Sequence, residues 1–348
     1  MFIKQTARLN LALIGCGRIA QSHLQAIAQN PQCRLVAAVD VCEEAARAVA
    51  AQHGCRAFID YQELLDAKLA LDAVIICTPP RTYAEIALQF LDRGIHVLCE
   101  KPLAVSSNHA RLMVKKAEEK GCLLMMASKF RYVADVIKAK AMLEAGVLGE
   151  VILFENVFCS KVDMTQRWNA QRALSGGGVL IDNGCHSVDI ARYLLGPIVK
   201  VQAEEGKRVQ PLEVEDTSRL YFRAANDALG AVDLSWSIHK ERDAYIEIFG
   251  TKGVISIGWK GSKFRRSEKS EWEKFGEGYD KNRAFDGQLE NFIAALKGRE
   301  QPLITGVDGL ESVKVIEAAY QSAKINKWVE VEPIAVTHAP SAIARMAA

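Results

Sequence analysis

No stretch of this 348-residue sequence stays apolar for the roughly 20 residues that a membrane-spanning helix needs. The segment from Met1 to Asn10 carries Lys4 and Arg8 but no apolar core and no twin arginine, so neither a secretory leader nor a twin-arginine signal is expected. Charge of one sign is also missing. With 44 Lys and Arg against 42 Asp and Glu, the formal net charge of +2 offers no basic field for nucleic acid or a membrane surface. The nine cysteines include no C-x-x-C pair. An odd count without framework spacing argues against disulfides and a structural zinc, and for free thiols in a reducing, cytoplasmic compartment.

What is present is the make-up of an ordinary soluble globular protein, 49% hydrophobic and 25% charged. The length exceeds one ordinary core, so two domains are expected. Over the first part of the chain, short apolar runs alternate with helical patterns. The runs Leu9 to Ile14, Arg34 to Val39, Cys55 to Ile59, Asp72 to Cys77, Ile95 to Cys99 and Cys122 to Met126 read as strands. Helical spacing fills the gaps between them, which implies a doubly wound parallel sheet over residues 1–127. Beyond that point the texture changes. After a helix at Val133 to Ala145, strand-like runs follow in hairpin succession, with Gly250-Thr251-Lys252-Gly253 as a tight turn. Helical patterning returns at Arg283 to Leu296 and Asp308 to Lys324. Residues 128–335 are therefore expected to form an α+β domain with a large, mostly antiparallel open sheet, and residues 336–348 a poorly ordered tail.

The first strand runs into Gly15-Cys16-Gly17-Arg18-Ile19-Ala20, a G-x-G-x-x-A match that opens a helix. That context makes the match informative. Gly15 allows the tight turn, Gly17 lets the backbone approach a diphosphate, and Ala20 lets the helix sit close to the strand. The diphosphate of a dinucleotide would lie on the helix N-terminus, with Arg18 able to touch phosphate. Asp40, at the end of the second strand, can accept both ribose hydroxyls and repel a 2′-phosphate, which favours NAD over NADP. It can also cap the helix that follows. Thr78-Pro79-Pro80, after the fourth strand, lines the same crevice. The fifth strand ends in Glu100-Lys101-Pro102, a polar end aimed at where a ligand binds in an open α/β sheet.

A second cluster follows Gly176-Gly177-Gly178. Asp182 and His186 are one helical turn apart on one face and can address the same hydroxyl. Hydride transfer from a secondary alcohol needs a base for the hydroxyl proton and a donor for the reacting oxygen. Histidine suits the first task and lysine the second. A purely structural His–Asp pair is the competing reading. Asp189 reads as a residue that serves the helix. Cys185, His186 and Asp189 do not converge on one face, so no metal is expected.

Taken in order, the Gly15-Cys16-Gly17-Arg18-Ile19-Ala20, Cys77-Thr78-Pro79-Pro80, Glu100-Lys101-Pro102 and Gly176-Gly177-Gly178 through Asp182-x-x-x-His186-x-x-Asp189 motifs resemble those of the glucose–fructose oxidoreductase/inositol dehydrogenase (Gfo/Idh/MocA) family. The resemblance extends from about Leu9 to Val331. It implies a Rossmann domain, a C-terminal open sheet that often makes homodimers or homotetramers, a nicotinamide cofactor, and sugar or inositol substrates. It further implies that Lys101 is the catalytic lysine, that Asp182 and His186 complete the triad, and that Glu100 contacts the nicotinamide ribose or sets Lys101. In relatives the peptide to the equivalent of Pro102 is often cis. Arg131, in Lys129-Phe130-Arg131-Tyr132, and Lys161, Arg167 and Trp168 are candidate substrate contacts or, alternatively, interface residues. Together these readings point to an NAD-dependent dehydrogenase acting on a cyclic polyol or sugar, inositol 2-dehydrogenase-like. The alternatives are a sugar, amino-sugar or nucleotide-sugar 3-dehydrogenase and a non-catalytic ligand sensor.

Overall fold

The first strand, β1 (Leu9–Ile14), is buried at every position except Asn10. A strand covered on both faces belongs to the interior of a parallel sheet. The computed structural model describes residues 8–332 apart from Glu268, so the tail expected to be poorly ordered lies outside the described residues. Two units are formed. One contains residues 8–128 together with 285–310; the other contains 129–284 and 311–332. The first unit thus takes a segment that the linear boundaries assign to the second domain.

In the first unit, β1 is followed by α1 (Ala20–Gln29), β2 (Cys33–Val39), α2 (Glu43–His53), β3 (Arg56–Phe58), α3 (Tyr61–Asp66), β4 (Ala73–Ile76), α4 (Tyr83–Asp92), β5 (His96–Glu100), α5 (Ser107–Lys120) and β6 (Leu124–Ala127). The strands form one parallel sheet in the order β3-β2-β1-β4-β5-β6. The order reverses direction between β1 and β4, the switch point where such sheets open a crevice at their carboxyl edge. Helix ends are marked as the sequence suggests. Ser106 caps α5 by accepting the His109 N–H, and Gly54 and Gly121 close α2 and α5 in the left-handed region.

The second unit begins with α6 (Ala134–Glu144), β7 (Val151–Cys159), α7 (Arg172–Ser175) and α8 (Val179–Leu195). Next come β8 (Ile198–Glu205), β9 (Thr217–Ala224), β10 (Leu229–Ser235), β11 (Ala244–Gly250), β12 (Gly253–Gly258), β13 (Ser262–Arg265) and β14 (Glu273–Gly276). The chain continues through α9 (Lys281–Leu296) and α10 (Gly306–Ile325) to β15 (Val329–Glu330). The nine strands lie in the order β14-β13-β12-β11-β7-β10-β9-β8-β15, antiparallel except for β10 against β7. In β9, Leu220 and Phe222 are buried while Arg219 and Tyr221 are exposed. This alternation marks a sheet with one packed face and one open face. Helix α8 packs on β7, β9 and β10, so the helix that carries Asp182 and His186 is seated on the sheet's core. Among the described residues, no helix is long and apolar enough to cross a membrane.

Candidate active site

At the carboxyl edge of the first sheet, the pairings Ile14–Ile76 and Ile76–Cys99 align the ends of β1, β4 and β5. Gly15, Cys77 and Glu100 therefore follow in a row. Gly15 turns with φ +93°, and a Cβ there would lie 2.7 Å from the Cys77 carbonyl carbon and 2.8 Å from the Thr78 nitrogen. Only glycine satisfies both the conformation and the approach. Gly17 is exposed, with open space where its Cβ would be. Helix α1 has neither a side-chain cap nor an acidic residue in its first turn. Its leading N–H groups are consequently available to an anion, and no carboxylate competes for them. Arg18 is exposed and Ile19 half-buried on the same turn.

Asp40, half-buried after β2, ties this turn together. Its Oδ2 accepts the Cys16 N–H at 2.7 Å and its Oδ1 accepts the Cys42 N–H at 2.8 Å. Each oxygen retains a second acceptor position for a ribose hydroxyl. Burial, aided by the Asp40 charge, pushes the Cys16 thiol up to about 12 and keeps it protonated. Pro79 is extended, with φ −63°, and leads into a single turn at Pro80–Thr82 held by the Thr82 N–H on the Pro79 carbonyl. These features fit a dinucleotide at the edge of β1, β2 and β4.

Glu100 is 5% exposed. Its Oε1 lies 2.8 Å from Nε2 of His23, and its Oε2 accepts the Lys101 N–H at 3.2 Å. His23, itself 2% exposed, meets the Phe285 ring edge-on at 4.9 Å. A histidine one turn into α1 therefore ties the helix of the glycine motif to the strand that ends at Lys101. Sequence reasoning passed over His23, although its place three residues after Ala20 was visible. The Lys101–Pro102 peptide bond is cis.

In the second unit, Asp182 and His186 lie in the first half of α8, four residues apart. Asp182 is half-buried and His186 is 8% exposed. The Phe130 ring meets His186 edge-on at 5.1 Å and stacks against Tyr279 at 5.2 Å. His186 thus adjoins an aromatic cluster that also contains Phe158, Tyr245 and the partly exposed Trp259. Arg131, expected as a substrate contact or an interface residue, lies in the interior of this unit. It is 3% exposed, with Nε 3.0 Å from both carboxylate oxygens of Asp189 and Nη2 2.7 Å from Oδ1. Its guanidinium also lies over the Tyr193 ring. A buried, bidentate guanidinium ties α8 to the 129–132 turn. Lys161 is exposed, Arg167 half-buried and Trp168 exposed, all between β7 and α7.

The fold and both sets of residues define an oxidoreductase built on an NAD-binding Rossmann domain. Residues 9–128 match the model of the oxidoreductase family with an NAD-binding Rossmann fold, and residues 136–256 match the Gfo/Idh/MocA C-terminal domain. The chain belongs to the Gfo/Idh/MocA family and is an NAD-dependent oxidoreductase. It is 26% identical to an inositol 2-dehydrogenase of Rhizobium meliloti over 93% of this chain and 99% of that one. To inositol 2-dehydrogenase 2 of Saccharopolyspora erythraea it is 29% identical, over 96% and 99%. The WlbA dehydrogenase of Bordetella pertussis, solved with NADH and UDP-GlcNAcA, superposes with a TM-score of 0.84 at 26% identity, over 94% of this chain and 98% of that one.

Proposed function

We propose that this oxidoreductase acts on a secondary hydroxyl of a cyclic polyol or sugar, with inositol 2-dehydrogenase-like activity. The observation that carries this reading is the end of β5, where Glu100-Lys101-Pro102 lies in line with the glycine turn. The likeness to inositol 2-dehydrogenases over nearly the whole chain supports the substrate class. Gly15, Cys16, Gly17, Arg18 and Ile19 hold the diphosphate, Asp40 holds the adenosine ribose, and Thr78 and Pro79 line the crevice. NAD, when bound, supplies the hydride acceptor. His186 takes the hydroxyl proton, and Asp182 orients it or binds the neighbouring hydroxyl. Lys101 donates to the reacting oxygen, and Glu100, buttressed by His23, sets the lysine's backbone. Lys161, Arg167 and Trp168 face the substrate, where a guanidinium and an indole suit a polyol's hydroxyls and C–H faces.

A nucleotide-sugar 3-dehydrogenase is the second reading, favoured by the likeness to the WlbA dehydrogenase. The open face of the nine-stranded sheet favours a homodimer or homotetramer, and the nine free thiols favour the cytoplasm. The test is a screen of inositols, aldoses, amino sugars and UDP-sugars with NAD and NADP, followed at the reduced-nicotinamide absorbance. Turnover of an inositol or free sugar supports the first reading. Turnover of UDP-sugars alone supports the second, and no turnover despite cofactor binding contradicts both. In the same assay, Asp40→Ser is expected to lower the preference for NAD over NADP by about 10-fold or more. One lost carboxylate–hydroxyl bond and one relieved charge repulsion are each worth about 1 kcal/mol.

A further inference from the structure

The glycine run before α8 makes room for the Tyr320 side chain and for the backbone of Glu215. Gly176 closes α7 with φ +83°. A Cβ on Gly177 would lie 2.0 Å from the Tyr320 hydroxyl, and one on Gly178 would lie 2.0 Å from the Glu215 carbonyl oxygen. Glu215 is fully buried. Its Oε1 accepts the Gly178 N–H at 2.9 Å, the Leu180 N–H at 3.1 Å and the Tyr320 hydroxyl at 2.7 Å. Its carbonyl oxygen accepts the Val179 N–H at 2.9 Å. The N-cap residue of α8 is Gly178, which has no side chain to cap with. Glu215 supplies that cap from just before β9, and a carboxylate suits the positive end of the helix.

Its neighbour Asp216 is equally buried and serves a different segment. Asp216 Oδ2 accepts the N–H groups of Val209 and Gln210, both at 2.8 Å, and the Ser237 hydroxyl at 2.6 Å. Gln210 in turn donates Nε2 to the Val162 carbonyl at 2.9 Å and accepts the Met164 N–H at 2.9 Å. Asp216 therefore fixes the clamp that holds residues 162–164, beside Lys161 and ahead of Arg167 and Trp168. Successive residues of an extended chain point to opposite sides, which lets two adjacent carboxylates govern two separate parts of the unit.

We infer that Glu215 and Asp216 are a pair of positioning residues with divided roles. Glu215 sets the first turn of α8 and hence the placement of Asp182 and His186. Asp216 sets, through Gln210, the segment that carries Lys161, Arg167 and Trp168. This inference rests on the proposed function.

The test is steady-state kinetics on the full-length enzyme, with the screened substrate of highest kcat/KM, below each variant's melting temperature. NADH affinity is followed by fluorescence titration. Glu215→Ala is expected to lower kcat by about 30- to 100-fold, the scale of an ångström-level misplacement of reacting groups, with KM and NADH affinity within about threefold. Glu215→Gln keeps an acceptor oxygen at the same reach and is expected to restore kcat to within about fivefold. Asp216→Ala is expected to raise KM about 10-fold and leave kcat within about threefold. If Glu215→Ala does not fold, Glu215→Asp, which retracts the carboxylate by about 1.5 Å, is expected to show the same kcat-only loss. Folded Glu215 variants with wild-type kcat, or both sites shifting kcat and KM together, overturn the inference when His186→Ala shows its expected loss of about 10³-fold in kcat. Wild-type kcat in His186→Ala instead removes the base assignment on which the inference rests.

Discussion

Replacing His186 with alanine is expected to lower kcat by about 10³-fold while leaving NADH affinity within about twofold of wild type. General acid–base catalysis contributes roughly 10²- to 10⁴-fold, and no neighbouring side chain on α8 replaces the imidazole. Asp182 is one turn earlier on the same helix, but a carboxylate is a far weaker base. Lys101→Met is expected to give a loss of similar size for a different reason. It removes the donor to the reacting oxygen, an interaction that strengthens as charge develops there. Cofactor affinity separates the two variants from simple misfolding. In the proposed cofactor site the diphosphate and adenosine-ribose contacts come from the glycine turn and Asp40, and neither substitution removes one of these groups. Steady-state kinetics with fluorescence titration of NADH is the check. Wild-type kcat in His186→Ala would remove the base assignment.

The second large effect concerns stability. Arg131→Met leaves Asp189 as a fully buried carboxylate without its bidentate guanidinium. Breaking a buried ion pair from one side costs about 3–5 kcal/mol, to be measured by denaturant unfolding. The double variant Arg131→Met/Asp189→Leu is expected to recover most of that loss, because the buried carboxylate is gone as well. The KM of the folded Arg131→Met enzyme is expected to stay within about threefold of wild type. A KM raised 10-fold or more at undiminished stability would return Arg131 to the substrate wall.

The difference over Arg131 shows where a sequence stops being readable. Arg131 follows a strand end, where substrate-facing polar residues are expected. Its partner Asp189 is 58 positions further on, and no local pattern links the two. The same distance problem hides Glu215 and Asp216. A buried Glu-Asp step leading into the alternating strand β9 serves a glycine run that lies 37 residues earlier. Residues 285–310 illustrate a third limit. Helical periodicity marks an apolar face on α9 without saying which core receives it. In the structure, Phe285 meets His23, while Lys297 and Arg299 both donate to Gln32 of the first unit.

Local features were legible where residue chemistry alone decides them. The six strands of the first sheet follow from short apolar runs between helical patterns, and the turn at Gly15 follows from the glycine motif. Strands β7 to β12 were also visible, since each alternates or runs apolar. The hairpin β13–β14 was not. Its strands are four residues long, rich in Lys, Arg and Glu, and located at the sheet's end. Charge on such an edge discourages further pairing and also masks the alternation that identifies a strand.

The central claim is that a hydride leaves a ring carbon of a polyol or sugar for NAD. Its most direct measurement is isotope transfer. The enzyme is incubated with NAD and, in separate reactions, with myo-inositol, glucose and UDP-N-acetylglucosamine deuterated at their carbinol carbons, and the reduced cofactor is analysed by mass spectrometry. The expected result is one deuterium per reduced nicotinamide from at least one of these substrates, formed about 10³-fold more slowly with His186→Ala. Reduced cofactor free of deuterium, or no reduction by any of the three despite measured cofactor binding, would contradict it.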